Sequence, residues 1–270
     1  MTEALAPTRR RSRRPPLVLV VLAILGLAVF VIPLLGLLAR TPWRDLPTLL
    51  AGDVVIDALR LSVITSLGAT AISAVLGVPL AWMLARVEFP GRSIVRGLVL
   101  LPLVIPPVVG GAALLFALGR RGLIGEPLNR ATGLVLPFST WGAVIAVTFV
   151  AMPFLVITVE GALRNLDPRF EGAAATLGAG RWTVLRRVTF PMVGPSLVAG
   201  LVLTWARAFG EFGATITFAG NLEGRTQTLP LAVFIALESD RDTAVALSLI
   251  MVAISLTVLV VLRERWWKTP

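Results

Sequence analysis

Residues 171–191 read "EGAAATLGAGRWTVLRRVTFP". The stretch lies between long apolar runs and is too polar and too interrupted to be one of them. Just upstream, Asp167-Pro168 is a helix start, with the carboxylate as cap and the proline at the first helical position. Phe170, Ala173, Ala174 and Leu177 then fall at i, i+3, i+4 and i+7, one apolar stripe on a helix of about three turns. Gly178 is placed to end that helix. A second short helix is predicted from about Arg181, with Trp182, Leu185 and Val188 as its stripe and Pro191 closing it. The segment 167–191 therefore reads as a hairpin of two short amphipathic helices. It either lies on a lipid surface with its arginines on headgroups or docks onto another protein, with Ala173 and Ala174 allowing close approach.

The flanks set the class. Of 270 residues 56% are hydrophobic and 15% charged, and the mean hydropathy is +0.88. Successive runs of about 20 apolar residues make this an all-α membrane protein rather than a barrel. There is no Cys or His, which removes disulfides, thiolate chemistry, His-based metal sites and Ser-His-Asp triads. Lys268 is the single lysine, so a G-x-x-x-x-G-K-[ST] phosphate loop is impossible. If ATP drives this protein, another chain hydrolyses it.

Six transmembrane helices are predicted, at roughly 17–39, 56–85, 94–118, 139–161, 192–218 and 243–262. The first follows the basic tail 1–16. It is longer than a signal core and has no A-x-A-like site after it, so it is expected to be retained. Sixteen basic residues fall on one side: Arg9, Arg10, Arg11, Arg13, Arg14, Arg86, Arg92, Arg96, Arg164, Arg169, Arg181, Arg186, Arg187, Arg263, Arg265 and Lys268. Seven fall on the other: Arg40, Arg44, Arg120, Arg121, Arg130, Arg225 and Arg241. The positive-inside rule then gives an N-in/C-in topology with the hairpin in the cytoplasm. The net charge of +10 is thus a topology signal, and nucleic acid is not an expected partner. Acidic residues of the outer loops are solvated, or meet a periplasmic partner.

The hairpin resembles the EAA loop of the permease subunits of bacterial ABC importers, E-A-A-x-x-x-G-x9-I-x-L-P. Ala173, Ala174 and Gly178 fit, and Val188, Phe190 and Pro191 stand for I-x-L-P at the same distance. The acidic position falls on Gly172, with Glu171 one residue before it. The resemblance implies the type I importer fold over about 55–262. It also implies a coupling helix that docks on the ATPase subunit through Phe170, Glu171, Ala173, Ala174, Leu177, Gly178, Arg181, Trp182 and Pro191.

The fifth predicted span contains Arg207 and Glu211, four apart on one face. Ionisable groups at depth face protein or a water-filled path. The pair is either self-neutralising packing or a point on an anion path. Gly210, Gly213 and Thr215 accompany it. In the third span Pro102, Pro106 and Pro107 break the helix ahead of Gly110 and Gly111. Such breaks either kink a packing helix or line a cavity, which would put Pro107 and Gly110 on the path. Ser62, Ser66, Thr70, Ser73 and Gly77 form a small-residue packing face in the second span.

"ARAFGEFGATITFAGN" followed by "GRTQTLPLA" is similar to the molybdate-type permeases, and sulfate-type relatives share the core Gly210–Ala214. The resemblance implies a homodimer served by two ATPase subunits and an extracytoplasmic molybdate-binding protein, with no cofactor. Sulfate, thiosulfate or tungstate import is the alternative within the class. A gradient-driven carrier would leave the hairpin without a role and is expected to carry internal repeats, which are not evident. An intramembrane enzyme has almost no residues here from which to build a catalytic centre.

Overall fold

The computed structural model describes residues 16–266, with side chains to residue 260. The tail arginines Arg9–Arg14 and Lys268 lie outside the described residues.

Among the described residues the regular structure is all helical. α1 (Leu17–Ala39) and the short α2 (Leu46–Leu50) precede α3 (Asp53–Arg86), which has 34 residues. At 1.5 Å per residue α3 is about 51 Å long, well beyond the ~30 Å hydrocarbon layer. α4 (Arg92–Val104) and α5 (Pro107–Leu118) occupy the third predicted span, and α6 (Gly125–Thr132) follows. α7 (Thr140–Asn165) leads into α8 (Pro168–Thr176) and α9 (Arg181–Val184). A π-turn over Leu185–Thr189 runs directly into α10 (Phe190–Phe209). α11 (Gly213–Phe218), α12 (Leu229–Ser239) and α13 (Arg241–Trp266) complete the chain. Among the described residues five helices are long and apolar enough to cross a membrane: Leu17–Ala39, Asp53–Arg86, Thr140–Asn165, Arg181–Phe209 and Arg241–Val260.

Three expectations are corrected. The third predicted span is two helices. Pro102 stays inside α4, and the break falls at Ile105-Pro106, both extended, with ψ of 145° and 136°. Two successive prolines remove two amide donors and push the preceding residue out of the helical region. The fifth predicted span is also two helices, ending at Phe209 and restarting at Gly213. Pro191 does not close the second hairpin helix. The backbone stays helical from Arg181 to Phe209, and the wide turn ahead of the proline, with the Phe190 amide donating to the Leu185 carbonyl, accommodates the ring that an ordinary turn would exclude. Short α2, α6 and α12 form in the connections between the predicted spans.

α7 is the centre of the fold and packs against α3, α4, α5, α10 and α11. Ser62, Ser66, Ser73 and Gly77 of α3 are buried, as the small-residue pattern predicts, while Thr70 is half-buried. A side chain at Gly77 would meet Met152 at 3.3 Å and Val156 at 3.4 Å. Leu84, Leu155, Val156, Val159 and Leu163 fill one core. Phe209, Leu229, Ala232 and Leu247 fill a second, between α3, α12 and α13. By contrast, α1 buries no residue and touches the rest through α13.

Candidate functional site: an amphipathic hairpin and a pair of helix breaks

At the hairpin, the Asp167 carboxylate accepts the Arg169 amide at 2.9 Å and Pro168 opens α8. Gly178 has φ +84°. Its amide donates to the Ala175 carbonyl at 3.0 Å, and the Ala179 amide reaches back to Ala174 at 3.1 Å. This paired closure needs a left-handed residue, which is why glycine stands there. The turn points Leu177 into the open at 89% exposure, and Phe170 and Trp182 are 53% and 70% exposed. Ala173 and Arg181 are also exposed, and Ala174 is half-buried. Three large apolar side chains on a segment rich in arginine are thus left without a partner.

Glu171 faces the other way. Its Oε1 accepts Thr189 Oγ1 at 2.7 Å and lies 3.2 Å from Arg86 Nη2 at the end of α3. Pro191 sits in the first turn of α10, away from the hairpin tip. Beneath the hairpin is an open cleft of about 700 Å³ lined by Trp82, Arg86, Glu171, Trp182 and Thr189.

The two helix breaks meet inside the molecule. A Cβ on Gly213 would lie 2.9 Å from Pro107 Cβ, and one on Gly111 would lie 2.7 Å from Thr217 Cβ and 2.8 Å from the Ala214 carbonyl. Gly110 is similarly covered by Phe149, at 2.9 Å. The start of α5 and the start of α11 therefore touch backbone to backbone, which only glycines at these positions permit. Glu211, 2% exposed, joins the halves of the fifth segment. Its Oε1 accepts the Ala214 amide at 2.8 Å, and its Oε2 pairs with Arg207 Nη1 at 2.5 Å. A carboxylate is stable there because a helix-start amide and a guanidinium share its charge. The Arg207 side chain remains 28% exposed and takes no other hydrogen bond among the described residues. Thr215 is fully buried with its hydroxyl unpartnered.

Pro107, Gly110, Glu211, Gly213 and Thr215 are thus brought to the junction of α5, α7 and α11, with Arg207 attached through Glu211. Gly210 is exposed and stands apart, its nearest neighbour being the Ala206 carbonyl at 3.8 Å from an added Cβ. The Thr226–Leu229 stretch is buried, and Pro230 is half-buried. Thr226 Oγ1 accepts the Leu222 amide at 2.9 Å, and Ser62 Oγ accepts the Leu229 amide at 2.7 Å.

One cluster escaped the sequence reading. Glu160 of α7, 6% exposed, accepts Arg96 Nε at 2.9 Å. Arg92 Nε donates to the Leu84 carbonyl at 2.8 Å, closing the end of α3. These arginines count towards topology in the sequence. The signal that could have found the cluster is an isolated acidic residue near the end of an apolar span.

The interrupted helices of the third and fifth segments thus meet inside the molecule, and the hairpin at one end leaves large apolar side chains exposed. Residues 77–266 match the family described as binding-protein-dependent transport system inner membrane component, and the chain belongs to that family. It is 48% identical over 235 residues to the molybdenum transport system permease protein ModB of Mycobacterium tuberculosis, covering 86% of this chain and 88% of that one. It is 41% identical over 210 residues to ModB of Escherichia coli, covering 78% and 92%. The sulfate transport system permease protein CysT of Escherichia coli is 34% identical over 235 residues, covering 86% and 84%. Among solved structures, a bacterial alginate ABC transporter in complex with alginate pentasaccharide-bound periplasmic protein contains a chain that superposes with a TM-score of 0.75 at 20% identity, covering 93% of this chain and 94% of that one. That likeness shows the fold of an ABC-transporter membrane subunit.

Proposed function

We propose that this chain is the permease subunit of an ATP-driven molybdate importer. The observation that carries the reading is the 48% identity with a molybdenum permease over 86% of the chain. The sulfate permease, at 34% over the same share of the chain, makes sulfate the second reading, and tungstate shares the geometry of molybdate.

In this reading α4 and α5 together make a sixth crossing, and both termini and the hairpin are cytoplasmic. Residues 55–262 are the transport core, 17–39 is a peripheral span, and 1–16 and 263–270 are tails. Two copies form a homodimer in the lipid bilayer, each docked on one of two ATPase subunits. A binding protein delivers the oxyanion on the outer face. Phe170, Ala173, Ala174, Leu177, Arg181 and Trp182 offer the docking face, with Gly178 and Pro191 shaping it. ATP-driven closure of the ATPases would draw the hairpins together, and hydrolysis would release them, so that partners bias a two-state element.

The junction of α5 and α11 is the translocation path. Arg207 supplies the positive charge an anion meets, Glu211 keeps it oriented, Pro107, Gly110, Gly213 and Thr215 form the thin, interrupted backbone around it, and Gly210 ends α10 at its exposed edge. Uptake of labelled molybdate into liposomes holding the chain with its ATPase and binding protein tests this. ATP-dependent uptake that resists excess sulfate is expected. Equal block by sulfate moves the substrate to oxyanions in general, and uptake driven by an ion gradient without ATP overturns the class.

A further inference from the structure

The side-on edge of an arginine presents Nε and Nη2 together, matched to the two oxygens of a carboxylate. Arg92 and Arg96 use both atoms of that edge, on the Leu84 carbonyl and on Glu160 Oε1 respectively. Arg86 does not. Its Nη2 meets Glu171 Oε1 at 3.2 Å, yet its Nε is buried without a partner. Glu171 Oε1 is shared with Thr189 Oγ1 at 2.7 Å, while Oε2 takes no hydrogen bond among the described residues. A buried donor and a carboxylate oxygen thus stand unpaired within one ion pair, an arrangement that favours closing the remaining bond.

The position of this pair matters as much as its geometry. Glu171 lies in the hairpin, Arg86 is the last residue of α3, and Thr189 ends the π-turn that feeds α10. Both α3 and α10 pack on α7.

We propose that Glu171 is a positioning residue rather than an ATPase contact. With Arg86 and Thr189 it forms a strut that is slack in the state seen here. The strut closes into a two-bond fork when the hairpin is driven, delivering the hairpin's movement to α3 and α10. This rests on the docking role given to the hairpin above, and not on the identity of the oxyanion.

The test uses the complete complex with its ATPase and binding protein, and reads ATP hydrolysis stimulated by the liganded binding protein together with the amount of ATPase that co-purifies. Arg86→Lys keeps the charge and cannot make the fork. Arg86→Lys, Arg86→Gln and Glu171→Gln are each expected to keep the ATPase bound and to lose stimulation by about tenfold, and the double variant R86Q/E171Q to be no worse than either single change, as for partners in one interaction. Unaltered stimulation in Arg86→Lys overturns the fork. Loss of the bound ATPase in Glu171→Gln but not in Arg86→Gln overturns the strut, because Glu171 then contacts the ATPase. Should Arg86→Gln fail to assemble, the charge-preserving Arg86→Lys decides. Absence of molybdate uptake by the unsubstituted complex overturns only the substrate reading.

Discussion

Glu211 accepts the backbone amide of Ala214 at 2.8 Å, across the break between α10 and α11. In an uninterrupted helix that amide would go to the Gly210 carbonyl. The side chain takes its place, so the carboxylate both ends one helix and starts the next, while its second oxygen holds Arg207.

Replacing Glu211 therefore has two separable effects. Glu211→Gln retains an acceptor for the Ala214 amide and loses the counter-charge for Arg207. Glu211→Ala loses both. Breaking a buried pair on one side costs about 3–5 kcal/mol. Glu211→Ala is expected to show the larger drop in thermal unfolding temperature in detergent, with Glu211→Gln between it and the unsubstituted chain.

The contact between the two breaks predicts a contrast among glycines. An added methyl group at Gly111 or Gly213 meets atoms at 2.7–2.9 Å, whereas at Gly210 nothing lies nearer than 3.8 Å. Overpacking costs about 1–3 kcal/mol. Gly111→Ala and Gly213→Ala should lower thermal stability by that order, and Gly210→Ala should leave it within measurement error.

The hairpin predicts a loss of assembly without a loss of fold. Leu177 and Trp182 are 89% and 70% exposed, so Leu177→Asp and Trp182→Ala remove little intramolecular packing. Unchanged melting of the isolated subunit, with loss of the co-purifying ATPase, is the expected pair of results. Equal ATPase recovery would show that the exposed face is not the docking face.

Gly178 at φ +84° should resist any side chain. Gly178→Ala is expected to cost about 1 kcal/mol locally. The check is faster hydrogen exchange at the Gly178 and Ala179 amides, with exchange in α7 unaltered.

At the start of α13, Asp240 is the cap. The Thr243 hydroxyl and amide, together with the Asp242 amide, hold its carboxyl below the usual range. A depressed folded-state value means that the cap's contribution is complete above the ordinary aspartate range and is lost as pH falls through the lower folded value. Hydrogen exchange in the first turn of α13 should quicken on acidification in the native chain. In Asp240→Asn that turn should show no such step.

Several features were legible because they are local. Asp167-Pro168 and Gly178 dictate the ends of α8 through cap chemistry and backbone conformation, and the structure has them where the residues require. The serines and Gly77 of α3 form a packing face because their spacing repeats the helical turn. Pro191 was misread for a physical reason: a proline removes one amide and crowds one carbonyl, and whether this ends a helix or widens a single turn depends on what holds the flanks. Here Thr189, fastened to Glu171, and Val193, buried in the core below, hold both sides of the turn.

Composition and residue spacing by themselves determined a helical membrane protein with an amphipathic hairpin and a proline-broken third segment, and the hairpin motif carried the resemblance to the family. Each of these follows from contacts within a few residues, or from the cost of placing charge in hydrocarbon. The tertiary structure alone decided that the two breaks touch through Gly111 and Gly213, that Glu211 bridges one of them, that Glu160 gathers Arg96, and that Glu171 turns inward to Arg86. Those pairings join residues up to 106 positions apart in the chain (Gly111–Thr217), and no local pattern encodes which distant backbone a glycine will allow to approach.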